Sequence, residues 1–202
     1  MFYIGDVHAQ WESYLDWIEI FEDRSSIQVG DFGMGFNDDI PDKWATPHKF
    51  IRGNHDNPAV CTPHPNYLGE YGVMSEDGIF FVGGAHSIDL ERRKLEEWFG
   101  LAPTQWWEDE EIAELKFEKI LELYEFTKPK IVVSHDCPSE IRDLIIDGRA
   151  YRNRTSDGLL SAMFRAHQPE LWVFGHYHKS FDFIINKTRF KGLATLEVFE
   201  YE

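Results

Sequence analysis

The sequence predicts an α/β fold that shades into α+β near its end, and three observations carry that prediction. Short apolar, β-branched and aromatic runs alternate with segments whose apolar residues recur at helical spacing. Those runs end in a polar donor, Asp, Asn or His, usually with a glycine before it, as open α/β sheets place ligand-binding residues at strand carboxyl ends. The last third loses the helical period and alternates in the manner of antiparallel strands.

Taken in order, "FYIG" reads as a buried strand, and Ala9 to Glu22 as a helix with Trp11, Tyr14, Leu15, Ile18 and Phe21 on one face. "SIQVGD" and "KFIRGNH" read as two further strands ending at Gly30 and Gly53, joined by the Asp-rich, Pro-containing segment Asn37 to Pro47. Asn57 to Gly78, with Pro58, Pro63 and Pro65, reads as a surface excursion before the strand "GIFFVGG". Asp109 to Lys128 spaces Ile112, Leu115, Ile120, Leu123 and Tyr124 as a long amphipathic helix stopped by Pro129, with the acidic run Glu108 to Glu111 as its solvated start. The strand "KIVVSHD" follows, then a helix over Asp157 to His167 capped by Ser156, then the strand "ELWVFGHYH". "SFDFII", "TRFKG" and "TLEVFEY" complete the chain as strands, the first two joined at Asn186 and Lys187. No repeat, low-complexity tract or linker divides residues 1–202, so a single domain is expected.

Composition narrows the function. With 36 acidic residues against 20 basic, the formal net charge of -16 disfavours long nucleic acid, whose phosphates it repels. Two cysteines, Cys61 and Cys137, build no disulfide framework and no C-x-x-C site, and no apolar run approaches membrane-spanning length. A cytoplasmic protein without a membrane anchor is expected.

Five stretches carry chemistry: Asp6 and His8 in "GDVH", Asp31 in "GDFG", Asn54 and His55 in "GNHD", His135 in "VVSHD", and His176 and His178 in "GHYH". All offer hard oxygen or imidazole donors at strand-like ends, where a parallel sheet makes them converge. Mixed imidazole and carboxylate donors suit divalent Mn, Fe, Zn or Ni better than Ca or Mg. Seven candidate ligands are too many for one tetrahedral ion and fit two sharing a carboxylate, roughly 3.5 to 4 Å apart, a spacing that clamps the oxygens of a phosphoryl group and makes hydroxide available at neutral pH.

These stretches, in this order, resemble the signature of the calcineurin-like metallophosphoesterases: D-x-H, G-D, G-N-H-[DE], a later H, and G-H-x-H. The resemblance spans residues 5 to 178. It implies a four-layer αββα sandwich of two mixed β-sheets flanked by helices, with a dimetal site at the strand ends. It further implies Asp6, His8 and His178 on one metal, Asn54, His135 and His176 on the other, Asp31 bridging, and His55 as the catalytic imidazole beside the substrate. The protein Ser/Thr phosphatase branch extends its second motif to G-D-x-x-D-R-G; "GDFGMGF" lacks that Asp and Arg, which argues against that branch and leaves Asp56 as a candidate to orient His55 or brace its loop. "VGGAHSIDLERR" followed by "TQWWEDEE" is similar to an insert of small prokaryotic and viral members.

Within that insert His86, Arg92 and Arg93 are candidate substrate contacts, because Arg binds phosphate oxygens in a bidentate way. His48, His64 and His167 lack convergent partners and read as structural, and Trp106 with Trp107 reads as packing. The expected activity is hydrolysis of a phosphate ester with two divalent metals, manganese foremost. A nuclease or cyclic-nucleotide phosphodiesterase with the same centre is the alternative, and a catalytically silent scaffold a further one.

Overall fold

The computed structural model describes residues 1–21, 23–36, 40–41, 44, 47–75, 77–101, 106–146 and 155–202, with backbone only at 155–157. One sheet runs β10 (Val198–Glu200), β1 (Phe2–Ile4), β2 (Ser26–Gln28), β3 (His48–Phe50). The last three are parallel and β10 is antiparallel to β1. The second sheet runs β4 (Tyr71–Met74), β5 (Ile79–Val82), β6 (Ile131–Ser134), β7 (Leu171–Phe174), β9 (Thr188–Gly192), β8 (Phe181–Ile185). Its four central strands are parallel and its two outer ones antiparallel.

Side-chain alternation along the strands explains why the sheets stack. Tyr3, Ile27, Val29 and Ile51 of the first sheet share a core with Ile79, Phe81, Val133, Leu171 and Val173 of the second. The residues between them point the other way. Phe2, Ile4 and Phe50 pack on Trp11, Tyr14, Ile18 and Phe21 of helix α1 (Trp11–Phe21). Phe80, Val82, Val132, Trp172 and Phe174 pack on helices α4 (Phe117–Thr127), α5 (Ser139–Ile145) and α6 (Thr155–Ala166), through Ile120, Tyr124, Ile141, Leu160, Met163 and Phe164. Strands apolar on both faces are what a doubly covered parallel sheet requires. The result is the four-layer αββα sandwich, α1 outside one sheet and α4 to α6 outside the other.

Several elements differ from the sequence expectation. The excursion after Asn57 contains a one-turn helix, α2 (Pro58–Cys61), and the edge strand β4. Strand β4 has no apolar alternation because Gly72 faces Phe81, and a Cβ there would lie 2.9 Å from that ring. The insert forms helix α3 (Leu90–Trp98), which buries no residue and so gives no apolar period. Helix α4 starts at Phe117 after a 3₁₀ turn, Glu114–Lys116, well past the expected Asp109, because Glu110 turns inward and is almost fully buried. It ends at Lys128 in the left-handed region, φ 44°, with Pro129 next, as the sequence signals. Ser156 lies inside α6 and not before it, and α5 had no sequence signal. Strand β10 leaves the antiparallel tail to join the other sheet, and β9 pairs in parallel with β7. Glu22 and most of the Asn37 to Pro47 connection lie outside the described residues.

The layer over α6 should be the most sensitive to truncation. Trp172 is fully buried, donates its indole N–H to Ser134 Oγ at 2.8 Å, and packs against Phe164 and Phe190. Trp172→Ala is expected to lower unfolding stability by about 3–5 kcal/mol. Chemical denaturation followed by far-UV dichroism reads this; a loss below about 1 kcal/mol would mean that the layer contributes little.

Candidate metal centre

Most of the candidate donors leave their strands beside a glycine whose position has no room for a side chain. A Cβ at Gly53 would lie 2.1 Å from Asp31 Oδ1, and one at Gly175 2.2 Å from Asp6 Oδ1. A Cβ at Gly30 would lie 2.4 Å from His135 Nδ1, and that residue also has φ of 102°. The motif glycines therefore make space for the donors' own side chains as much as they turn the backbone. His8, Asp31, His176 and His178 themselves hold positive φ, between 48° and 69°. Left-handed backbone at non-glycine residues costs energy and gathers at sites where the aim of a side chain matters.

The loops bring the side chains into two groups with one member in common. Asp6, His8, Asp31 and His178 place one ligand atom each within 4.8 Å of one another, and so do Asp31, His135 and His176. Asn54 joins the second group, its Oδ1 3.1 Å from His135 Nε2. Asp31 stands between the two: Oδ1 lies 3.3 Å from His135 Nε2, and Oδ2 lies 3.9 Å from His8 Nε2. Asp6 takes the backbone N–H of His176 and sits 3.1 Å from His178 Nε2.

The hydrogen-bond partners fix which atom of each donor faces the cluster. His135 Nδ1 lies 2.9 Å from the Val29 carbonyl, which only accepts, so Nδ1 carries a hydrogen and Nε2 is the nitrogen that faces inward, a ligand once a cation displaces its proton. Asn54 donates its amide N–H to Ser87 Oγ at 2.9 Å, so its oxygen faces inward as well. Asn54 Oδ1, His135 Nε2 and Asp31 Oδ1 thus converge on one point. In the other group His8 Nε2 and His178 Nε2 stand 2.8 Å apart, room for a single proton between them. Burial opposes charge on His135, yet Asp31 and Asp6 outweigh it and push its pKa up to about 10. Burial alone would raise the Asp31 carboxyl, but His135, His55 and His8 hold it well below the usual range. A cluster that draws positive charge this strongly, with imidazole and carboxylate donors, fits divalent cations.

His55 lies at the edge of the cluster, in a cavity of about 390 Å³ lined by Asn54, Arg93, His176, Tyr177, His178 and Lys179 among others. Arg93 donates toward His55 Nε2 at 3.3 Å and is held by Asp89 Oδ1 at 2.8 Å. Burial, with Arg93 and His8 nearby, brings the His55 pKa down to about 4 against the pull of Asp31, so the imidazole is neutral at pH 7. His86 and Arg92 are elsewhere. His86 pairs with Glu111 at 3.1 Å beside Trp106 and Trp107, in a separate cavity. Arg92 is on the exposed side of α3, pairing with Asp89 and Glu96 at 2.6 Å each.

Asp56 does not contact the His55 ring. It is fully buried and accepts backbone N–H groups from Phe32, Gly33, Met34 and Gly53 at 2.7 to 3.0 Å, fastening the Asp31 loop to the Asn54 loop. Ser87 and Glu110 behind Asn54, and the buried Arg52 that donates to the Glu110 carbonyl at 2.6 Å, had no sequence signal either. Glu110 was expected to be solvated; the others stand alone in their stretches.

The family model described as calcineurin-like phosphoesterase matches residues 2–180, which include all of the donors above. The chain belongs to the calcineurin-like phosphoesterase family. Members are metal-dependent phosphoesterases, and the two groups around Asp31 are this member's candidate metal ligands. None of the curated proteins matches its sequence. Among solved structures it is similar to a Thermotoga maritima protein determined by solution NMR, at 15% identity and a TM-score of 0.42, covering 100% of this chain and 92% of that one. It is also similar to the phosphopantetheinyl hydrolase of Mycobacterium tuberculosis, at 14% identity and a TM-score of 0.44, covering 96% and 89%. Among the described residues no helix is long and apolar enough to cross a membrane.

The Asp56 brace can be tested directly. Asp56→Ala strands four backbone donors, and each unpaired buried group costs about 1–3 kcal/mol. A loss of at least about 3 kcal/mol in urea unfolding is expected, measured with metal chelated so that ligand binding plays no part. A change within about 0.5 kcal/mol, the usual effect of a surface substitution, would mean that the loops hold without it.

Proposed function

We propose that this calcineurin-like phosphoesterase hydrolyses phosphate monoesters at a two-metal centre. Asp6, His8 and His178 would hold one ion, Asn54, His135 and His176 the other, and Asp31 both. The observation that carries the reading is the position of Asp31, whose two oxygens face separate groups of donors. The mixed oxygen and imidazole donors suit manganese, with iron, zinc or nickel able to substitute. Two such ions, when bound, polarise the phosphoryl oxygens and make water acidic enough to attack at neutral pH.

The rest of the reaction falls to side chains at the mouth of the cavity. Arg93, partly buried and aimed by Asp89, is placed to bind a phosphoryl oxygen. His55 lines the same cavity, and once Arg93 turns from its Nε2 to the phosphate, its neutral ring can stabilise charge on the departing oxygen through an N–H. An arriving phosphate dianion would take over the Arg93 hydrogen bond now made to His55 Nε2, freeing that nitrogen to receive or pass a proton. Lys179 adds a second cation at the rim. Two cations in a molecule of formal charge -16 suit a small phosphorylated compound better than a polymer. Both cysteines are buried and free, in keeping with a reducing cytoplasmic setting.

A manganese-reconstituted panel of p-nitrophenyl phosphate, its bis-ester, cyclic nucleotides and single-stranded DNA tests this assignment. The monoester is expected to be the best substrate, with His55→Ala lowering kcat by about 10²–10⁴-fold. A preference for DNA or the bis-ester would replace monoesterase by diesterase, and an inert protein carrying its full metal complement would leave only a scaffold.

The two neighbouring arginines should separate cleanly. Arg93→Ala is expected to lower kcat/KM by roughly 10- to 100-fold, the worth of a hydrogen bond to a charged group. Arg92→Ala should stay within twofold of the parent, since among the described residues Arg92 pairs with Asp89 and Glu96 along its own helix face. Equal losses at the two positions would remove Arg93 from the site.

A further inference from the structure

Behind Asn54 lies a chain of hydrogen bonds that the chemistry described so far does not use. Glu110 is buried, and both of its oxygens are spent on one residue: Oε1 accepts the Ser87 backbone N–H at 2.8 Å and Oε2 accepts the Ser87 hydroxyl at 2.7 Å. With its proton committed to Glu110, the Ser87 hydroxyl can offer only a lone pair to Asn54, and it receives the amide N–H at 2.9 Å. The backbone around the chain is fixed too. Arg52, two residues before Asn54, donates to the Glu110 carbonyl at 2.6 Å, and Gly84 leaves space for both, since a Cβ there would lie 2.5 Å from that carbonyl oxygen.

An asparagine amide has one end that ligates a cation and one that repels it. The two ends are nearly equal in size, so only hydrogen bonding decides which faces the ion. We propose that Glu110 and Ser87 are positioning residues that lock the Asn54 amide with its oxygen toward His135 and Asp31, and thereby set the metal affinity of the Asn54–His135–His176 group alone. This rests on reading the cluster as a metal centre. Without the Ser87 hydroxyl the amide can rotate by half a turn and present its N–H groups to the ion. Among the described residues the Asp6–His8–His178 group shares no hydrogen bond with Ser87 or Glu110, so it keeps its affinity.

The test is manganese titration of the full-length protein, stripped of metal, by calorimetry, with bound metal counted after gel filtration. The parent is expected to bind two ions. Ser87→Ala should weaken one of them by about 10- to 100-fold, as loss of an outer-shell partner does, and leave the other unchanged. Ser87→Thr, which keeps the hydroxyl, should restore parental binding. Asn54→Asp replaces the amide with two equivalent oxygens, so adding Ser87→Ala to it should cost no further affinity. A structural role for Ser87 would instead weaken binding in both backgrounds.

Two unperturbed binding events in Ser87→Ala would overturn the positioning role while leaving the metal centre intact. A parent that binds no manganese would overturn both, and a parallel thermal-unfolding measurement would show whether each variant is folded.

Discussion

Two buried carboxylates without a lysine or arginine to neutralise them set the terms for everything else in this molecule. Among the described ion pairs, Asp6 and Asp31 meet only imidazoles. Bringing an ionised carboxylate out of water costs several kcal/mol unless positive charge and hydrogen bonds compensate. Backbone N–H groups supply part of this, from His176 to Asp6 and from His55 to Asp31. The glycines and left-handed residues around them exist to bring those groups close, and the remaining charge is what makes the pocket a place for cations. The sandwich serves the same end, since parallel strands in two facing sheets deliver five loops to one edge.

Much of this was legible in the chain because the relevant signals are local. A strand end followed within a residue or two by its donor puts cause and consequence side by side in sequence, and the donors of "GDVH", "GNHD" and "GHYH" could be picked out for that reason. The supporting residues could not. Asp56 reads as part of its own motif, yet its partners Phe32, Gly33 and Met34 are more than twenty residues away, and nothing local announces them. Glu110 belongs to a run of four acids that looks uniformly solvated, and the burial of Ile112 beside it and the two hydrogen bonds from Ser87 turn that one carboxylate inward. Strand β4 and helix α3 escaped for the opposite reason: one gives up its alternation to fit an aromatic ring, and the other buries nothing.

Helix α3 shows how neighbours in sequence can have unrelated duties. Arg92 and Arg93 are about 100° apart around its axis. The first spends its charge on Asp89 and Glu96 in solvent, where such pairs contribute little, while the second points to His55. Asp89 holds both, so a carboxylate at the start of the helix fixes the direction of the cation that faces the cavity. A charged surface helix is thereby tied to the chemistry without adding to the core.

The pairing of β10 with β1 has a consequence for how the site is assembled. The loop carrying Asp6 is held by Gly5 N–H to the Glu197 carbonyl and by Leu196 N–H to the Asp6 carbonyl, each at 2.9 Å. The Asp6 donor therefore depends on Leu196 and Glu197, far along the chain from it, before its backbone is secured. Until β10 pairs with β1, the first sheet lacks that edge and the Asp6 loop lacks its two main-chain anchors.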